Sequence, residues 1–366
     1  MACFLIKDLI LVTYSNPAKI DFNVDLTQKL CGALLLPHIR QSIDPFSQVI
    51  ARLSIKHPNL FGRNEKLEVL WNKGLDDSNI LIAFRRPRPD WTSQQSFTIQ
   101  YSVTPETAVH GLPVDHFSHS GSGSVNLCRF SAGVDFNEPS TSHWSSTTGI
   151  KFEHVHPINN DGHMISRDVD GFPITSSGSA YDNMVILKQE AQCAIASDDS
   201  FTRLNFQMEQ GLPLLSRSLI FNRFKFVASK GFKLGPTFLV TSLKGGSIVG
   251  DMAPYQAFAI GGIDSVRGYR EGAVGSGRSC LVANSEFTIP VTKELEGAIF
   301  MDCGTDLGSS RHVPGNPALR QGKPGSGVGV GYGIRFSSHL GQLRVDYAIN
   351  AFRQKTVYFS INSVSS

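Results

Sequence analysis

Charge is scarce in this sequence. Only 18% of its 366 residues are Asp, Glu, Lys or Arg, against about a quarter in ordinary soluble domains. The signs nearly cancel, 34 basic against 31 acidic side chains for a net +3, which leaves no concentrated basic face to grip nucleic acid. No apolar run reaches the ~20 residues a transmembrane helix needs, helical periodicity is nowhere sustained, and there is no internal repeat. Six cysteines lie far apart, at positions 3, 31, 128, 193, 280 and 303. None forms C-x-x-C or a zinc-ligand spacing, so they read as free thiols. Lys7 and Asp8 interrupt the apolar N-terminal stretch, so no cleaved secretory signal is evident. Gly325-x-Gly327-x-Gly329 has no following Lys-Ser/Thr, and no G-x-S-x-G elbow is present. The chain therefore reads as a non-enzyme with no cofactor and no resident metal.

What is present is alternation with period two. In Phe97, Ile99, Tyr101 and Val103 one face is apolar, while Ser96, Thr98, Gln100 and Ser102 make the other polar. From Gly327 to Phe336, Val328, Val330, Tyr332, Ile334 and Phe336 oppose Gly327, Gly329, Gly331, Gly333 and Arg335. Leu343, Val345, Tyr347 and Ile349 oppose Gln342, Arg344, Asp346 and Asn350, and Arg203 and Glu209 oppose Leu204 and Met208. A soluble sandwich also alternates, but these segments are long and their polar faces carry charge or bare glycine. That is the pattern of a membrane barrel, apolar to lipid and polar to lumen.

The expected strands are 21–30, 46–57, 64–73, 79–86, 95–104, 125–136, 142–156, 183–197, 200–211, 217–229, 235–247, 279–290, 296–306, 326–337, 341–350 and 356–363. Their number is about 16, and bacterial single-chain barrels have an even number. Long connections (31–45, 105–124, 157–182, 248–278, 307–325) follow odd-numbered strands, and short ones follow even-numbered strands. A barrel sorts its connections in this way, because odd ones share one rim. The fold class is thus all-β, a transmembrane antiparallel β-barrel. Residues 1–20 form a short tail and 21–366 one barrel domain.

The longest connection holds Gly261-Gly262-Ile263-Asp264-Ser265-Val266-Arg267-Gly268-Tyr269. Downstream, Phe300, Asp302 and Gly304 share one strand face, and Glu286 faces away from lipid if Phe287 and Ile289 face it. A guanidinium from the loop could meet both carboxylates in the lumen through forked, charge-assisted hydrogen bonds. On spacing alone a solvated loop arginine with two unrelated acidic strand residues is the better reading, since surface ion pairs are common and weak. His154, His156 and His163, and separately His116 and His119, are candidate metal ligands by spacing, and read better as loop-flanking histidines.

The tract GG-x-x-x-VRGY followed by F-x-D-x-G resembles the outer-membrane assembly and translocase barrel superfamily, which includes the bacterial barrel-assembly protein and the plastid import channel. Asn59-Leu60-Phe61-Gly62-Arg63-Asn64 resembles its turn after the second strand. Met208-Glu209-Gln210-Gly211-Leu212-Pro213 and 271–278 resemble the plastid outer-envelope branch. The resemblance implies a sixteen-stranded barrel with its long sixth loop folded into the lumen. It also implies that Val266, Arg267, Gly268 and Tyr269 form the loop tip and that Glu286, Phe300, Asp302 and Gly304 receive it. Family members usually carry polypeptide-transport-associated (POTRA) modules before the barrel. About twenty residues precede the first expected strand, too few for one. The implied place is the plastid outer membrane, and the implied partners are the envelope bilayer, precursor polypeptides and a full-length relative. The implied role is accessory to envelope biogenesis, insertion or translocation. The alternatives are a passive solute or ion pore and, with little support, a barrel-embedded lipase.

Overall fold

A computed structural model describes the backbone of residues 4–13, 20–28, 33–39 and 49–57. From 59 to 362 it describes the chain apart from 74–76, 89–91, 107–124, 139–142, 160, 169, 177 and 339–340, and side chains are described from residue 53 onward except at 317, 338, 341, 361 and 362. Phe4–Thr13 (β1) and Ile20–Gln28 (β2) pair with each other as a separate hairpin. One antiparallel sheet of sixteen strands contains the rest. Its first half is Ala33–Ile39 (β3), Val49–His57 (β4), Lys66–Lys73 (β5), Ser78–Arg86 (β6), Gln94–Pro105 (β7), Asn126–Asn137 (β8), Trp144–Ile158 (β9) and Asp182–Ala196 (β10). Ser200–Leu212 (β11), Phe221–Leu234 (β12) and Thr237–Gly250 (β13) continue it. After the ladder of Phe258–Ile260 (β14) with Gly275–Gly277 (β15), the sheet resumes with Ser279–Pro290 (β16), Leu295–Thr305 (β17), Ser326–Ser338 (β18), Gly341–Asn350 (β19) and Lys355–Asn362 (β20). Each strand pairs with its neighbour in sequence, and β13 pairs directly with β16. The end strands β3 and β20 come alongside one another, with no hydrogen-bonded ladder between them among the described residues.

The number of strands agrees with the alternation, but the first strand does not. The expected strand 21–30 corresponds to β2, which lies outside the large sheet, so that sheet begins at Ala33 and not at residue 21. Residues 31–45, expected as a connection, contain β3. Its sequence, Ala33-Leu34-Leu35-Leu36-Pro37-His38-Ile39, has no alternation, and Pro37 cannot donate to a ladder. An end strand with a single ladder partner tolerates that loss, and among the described residues β3 pairs with β4 alone.

The two faces sort as the pattern demands. On β18, Val328, Val330, Tyr332, Ile334 and Phe336 are exposed on the outside, while Gly327, Gly329, Gly333 and Arg335 are buried inside. Phe97, Ile99 and Tyr101 on β7 and Phe206 and Met208 on β11 face outward likewise. The long connections 106–125, 159–181, 251–278 and 306–325 all leave from one rim, which also carries the shorter 74–77, 213–220 and 351–354, while 138–143, 197–199, 235–236, 291–294 and 339–340 leave from the other.

The long-loop rim is filled from within. Val125, Leu127, Val155, Met184, Ile186, Phe221 and Ile248 point inward from β8–β13 and its flanks. They pack against Ile174, Leu219, Met252, Ala253, Tyr255, Ala257 and Val313 from four different loops. Apolar side chains turned into a barrel need other apolar groups to remove them from water, and the loops supply them. Arg320 bridges two of these loops, with Nη1 2.7 Å from Asp168 and its guanidinium 4.2 Å from the Phe172 ring centroid.

Candidate functional site: the arginine of the inward loop

The connection 251–278 doubles back on itself. A 3₁₀ turn at Pro254–Gln256 leads into the β14–β15 ladder, and residues 261–274 form the tip. The stem is fastened first. Tyr255 donates to Asp182 Oδ2 at 3.1 Å, and Gln256 caps the turn by accepting from the Ala253 N–H at 2.9 Å. Burial and the Asp182 charge push the Tyr255 phenol well above its ordinary range, so it stays a donor. Lys244 on β13 donates to the Asp264 carbonyl at 2.7 Å.

Arg267 stands at the tip and is 3% exposed. Its Nε and Nη2 grip Asp302 Oδ2 and Oδ1 at 2.6 and 2.9 Å, a two-pronged fork, and its backbone N–H adds a third bond to Oδ2 at 3.2 Å. Nη1 reaches Glu286 at 2.7 Å and Asp346 at 3.2 Å. The guanidinium carbon lies 3.5 Å from the Phe300 ring centroid, so one face of the cation meets the negative face of an aromatic ring. Burial alone would lower the guanidinium pKa. The hydrogen bonds and charge of Asp302, and then the charge of Glu286, outweigh that and raise it, so Arg267 is charged at any pH the protein meets.

The neighbours of the loop tip are built to admit it. Gly268 has φ +95, a left-handed conformation that glycine adopts without strain. Its N–H donates to Tyr358 Oη at 2.9 Å, and the same hydroxyl donates to the Tyr269 carbonyl at 2.8 Å. Asn350 Nδ2 holds the Gly268 carbonyl at 3.0 Å. Val266 is fully buried with Ile260, Tyr269, Val274 and Val282. A Cβ on Gly304 would stand 2.7 Å from Val266, and one on Gly329 only 1.7 Å from the Arg267 carbonyl oxygen. The glycine face of β18 is therefore the seat of the loop. Sequence pattern alone makes Gly329 a tolerant lumenal position, and the structure corrects that.

All eight residues expected at the site meet there: Val266, Arg267, Gly268, Tyr269, Glu286, Phe300, Asp302 and Gly304. Sequence reasoning left out Arg335, Arg344 and Asp346, although alternation already turned them inward. Arg335 bonds Glu286 at 2.8 Å and pairs with Asp346; Arg344 reaches Asp346 at 2.7 Å and Glu286 at 3.1 Å. Three guanidiniums thus face three carboxylates. Their convergence depends on register across β16–β19 and on the loop's descent, which no one-strand pattern encodes. Asn284 completes the site, donating to Asp302 at 2.9 Å and to the Ser265 carbonyl at 2.6 Å.

The histidine candidates do not assemble. His154 and His156 share the outer face of β9 with ring centroids 5.4 Å apart, and His154 is engaged by Asn183 at 2.6 Å. His163 sits in the loop beyond β9, hydrogen-bonded through its backbone to Asn159, while His116 and His119 fall outside the described residues. Among the described residues no group of three or more His, Cys, Asp or Glu is placed to hold a metal ion.

Comparison with known proteins follows the same lines. The chain is 64% identical over 353 residues to outer envelope protein 39, chloroplastic, of Arabidopsis thaliana, covering 96% of this chain and 98% of that one. It is 41% identical over 320 residues to outer envelope protein 80, chloroplastic, of the same plant, where it spans 43% of the relative's length. Among solved structures, BamA from Haemophilus ducreyi lacking POTRA domains 1–3 superposes with a TM-score of 0.73 over 97% of this chain and 74% of that one, at 15% identity. At that identity the likeness speaks for the barrel fold alone. Residues 59–363 match the Omp85 superfamily domain, the span that carries fourteen of the sheet's sixteen strands, from β5 onward, and the arginine-bearing loop, and the chain belongs to the Omp85 superfamily.

Proposed function

We propose that this protein is a β-barrel of the plastid outer envelope, related to protein-translocation and membrane-insertion channels, and that it serves as an accessory in envelope biogenesis. No enzymatic step and no cofactor enter this role; its partners are the lipid bilayer, polypeptide precursors and a full-length barrel-assembly relative. The observation that carries the reading is Arg267 clamped by Asp302, Glu286 and Asp346 in the barrel interior. The clamp fixes a long loop where an open conduit would run. Fixing backbone costs roughly 1–2 kcal/mol per residue, and a passive solute pore gains nothing from that expense. The packed apolar core at the long-loop rim weighs against the passive-pore alternative for the same reason. Place in the cell is inferred from the relatives' names and from the apolar outer face of the strands.

The test is fractionation of tagged protein from plastids, followed by carbonate extraction and photo-cross-linking in isolated envelopes. The proposal requires a carbonate-resistant protein of the outer envelope whose cross-links reach newly imported or inserting polypeptides or a larger barrel relative. Carbonate release, or a steadily open pore with wild-type conductance in Arg267→Ala, would overturn it.

A further inference from the structure

On β12 the residues facing outward are Phe224, Phe226, Ala228, Lys230, Phe232 and Leu234, while Arg223, Lys225 and Ser229 face the interior. Lys230 is the anomaly. Other lysines and arginines of outward parity among the described strand residues, Lys73, Arg86 and Lys355, each stand at a strand end. Lys230 instead has apolar outward neighbours on both sides along its strand, and Phe232 and Leu234 still separate it from the 235–236 turn at the short-turn rim. A lysine turned into hydrocarbon costs roughly 2–4 kcal/mol at the midplane, less near the interface.

Its cross-strand neighbours on that face are polar. Register places Thr202, Lys230, Thr241 and Ser285 side by side across β11, β12, β13 and β16. Nζ of Lys230 lies 4.8 Å from the Phe232 ring centroid, which points the ammonium toward the short-turn rim; among the described residues no carboxylate pairs with it. One step toward the long-loop rim, register lines up Ala228, Leu243, Ala283 and Cys303. Two alanines and a cysteine among larger neighbours leave a dent in the outer wall of about 520 Å³, bounded by Lys230 and its polar row.

We propose that this dent is a binding site for one anionic glycerolipid of the short-turn-side leaflet. The phosphate-bearing headgroup meets Lys230 and the hydroxyls of Thr202 and Ser285, while the Thr241 hydroxyl donates to the Lys230 carbonyl at 3.3 Å, and an acyl chain lies over Ala228 and Ala283. Charge complementarity selects the occupant: a cation held beside hydrocarbon needs an anion that arrives with its own hydrocarbon. The site lies on β11–β17, away from the β3–β20 junction, and is independent of the Arg267 clamp. It rests on the barrel lying in a membrane, which carbonate extraction checks separately.

The experiment is native mass spectrometry of the full chain in detergent, titrated with equal amounts of dioleoyl-phosphatidylglycerol and dioleoyl-phosphatidylcholine. Wild type should retain phosphatidylglycerol about five-fold over phosphatidylcholine, the equivalent of about 1 kcal/mol for one basic residue at a membrane surface. Lys230→Gln should abolish the preference, Lys230→Arg should keep it, and Ala283→Trp, which fills the dent, should lower retention of both lipids. Each of these substitutions faces lipid, so heat-modifiable migration should report a folded barrel in all of them. Equal retention of the two lipids by wild type, or an undiminished preference in Lys230→Gln, would overturn the site.

Discussion

Replacing Arg267 by alanine separates a clamp from a decoration, because the three carboxylates around it are unequally provided for. Glu286 keeps Arg335 at 2.8 Å and Arg344 at 3.1 Å, and Asp346 keeps Arg335 and Arg344. Asp302 has no such reserve. It is fully buried, and without Arg267 it retains the Asn284 amide at 2.9 Å. Removing one partner of a buried ion pair costs roughly 3–5 kcal/mol, because the other charge is left uncompensated. The aromatic contact with Phe300 goes too, worth about 0.5–2 kcal/mol. Since 1.4 kcal/mol is tenfold, the two losses together should raise the population with the loop tip released by roughly 10²- to 10⁵-fold. Limited proteolysis between 261 and 274 reads that population, and heat-modifiable migration on gels confirms that the barrel itself still folds. Arg267→Lys should rescue poorly, since an ammonium lacks the planar fork that spans both oxygens of Asp302. Arg344→Ala is the internal control: Arg344 is partly exposed and both of its partners keep another arginine, so its effect should be an order of magnitude smaller. Equal protease sensitivity in Arg267→Ala and Arg344→Ala would refute the argument, and so would an Arg267→Cys, Asp302→Cys pair that fails to cross-link in a background free of native cysteine.

Gly329→Ala should be far worse than its lumenal position suggests, because the new Cβ would lie 1.7 Å from the Arg267 carbonyl; loop release with an intact barrel is the expected phenotype, and wild-type protection refutes it. Val330→Arg, on the opposite face of the same strand, should instead block stable insertion at roughly 2–4 kcal/mol, read as loss of carbonate-resistant protein. Lys323, in the connection after β17, donates to Ser276 at 3.0 Å, and burial lowers its pKa to about 8 against the partial opposition of Glu106. The unfolded loop binds the extra proton between pH 8 and the ordinary lysine value, so loop stability should rise with pH across that window. Lys323→Met should flatten the profile, and protease protection at pH 7 and 9.5 checks both. Tyr255→Phe should loosen the loop stem by about 1–3 kcal/mol, since Asp182 loses a buried donor, and hydrogen exchange over 251–260 would report it.

The class of fold was already legible in the period-two alternation. Alternation along β7, β11, β18 and β19 assigned each side chain to lipid or lumen, because a strand has period two whatever its neighbours do. The parity of long and short connections assigned the rims. The family resemblance of the loop motif, rather than spacing alone, implied the meeting of Arg267 with Glu286 and Asp302. Long-range pairing supplied what period two cannot carry. Ala33–Ile39 does not alternate, and it is a strand because β4 offers it a ladder, whereas residues 20–28 alternate well and pair elsewhere. Arg335, Arg344 and Asp346 were legible as inward but not as members of the clamp, since their meeting with Arg267 requires the register of four strands and the depth to which the loop descends. Gly329 shows the difference most sharply. In the sequence it is one of several small lumenal residues, while in the fold it is the surface on which the Arg267 backbone rests, a close approach that side-chain periodicity does not encode.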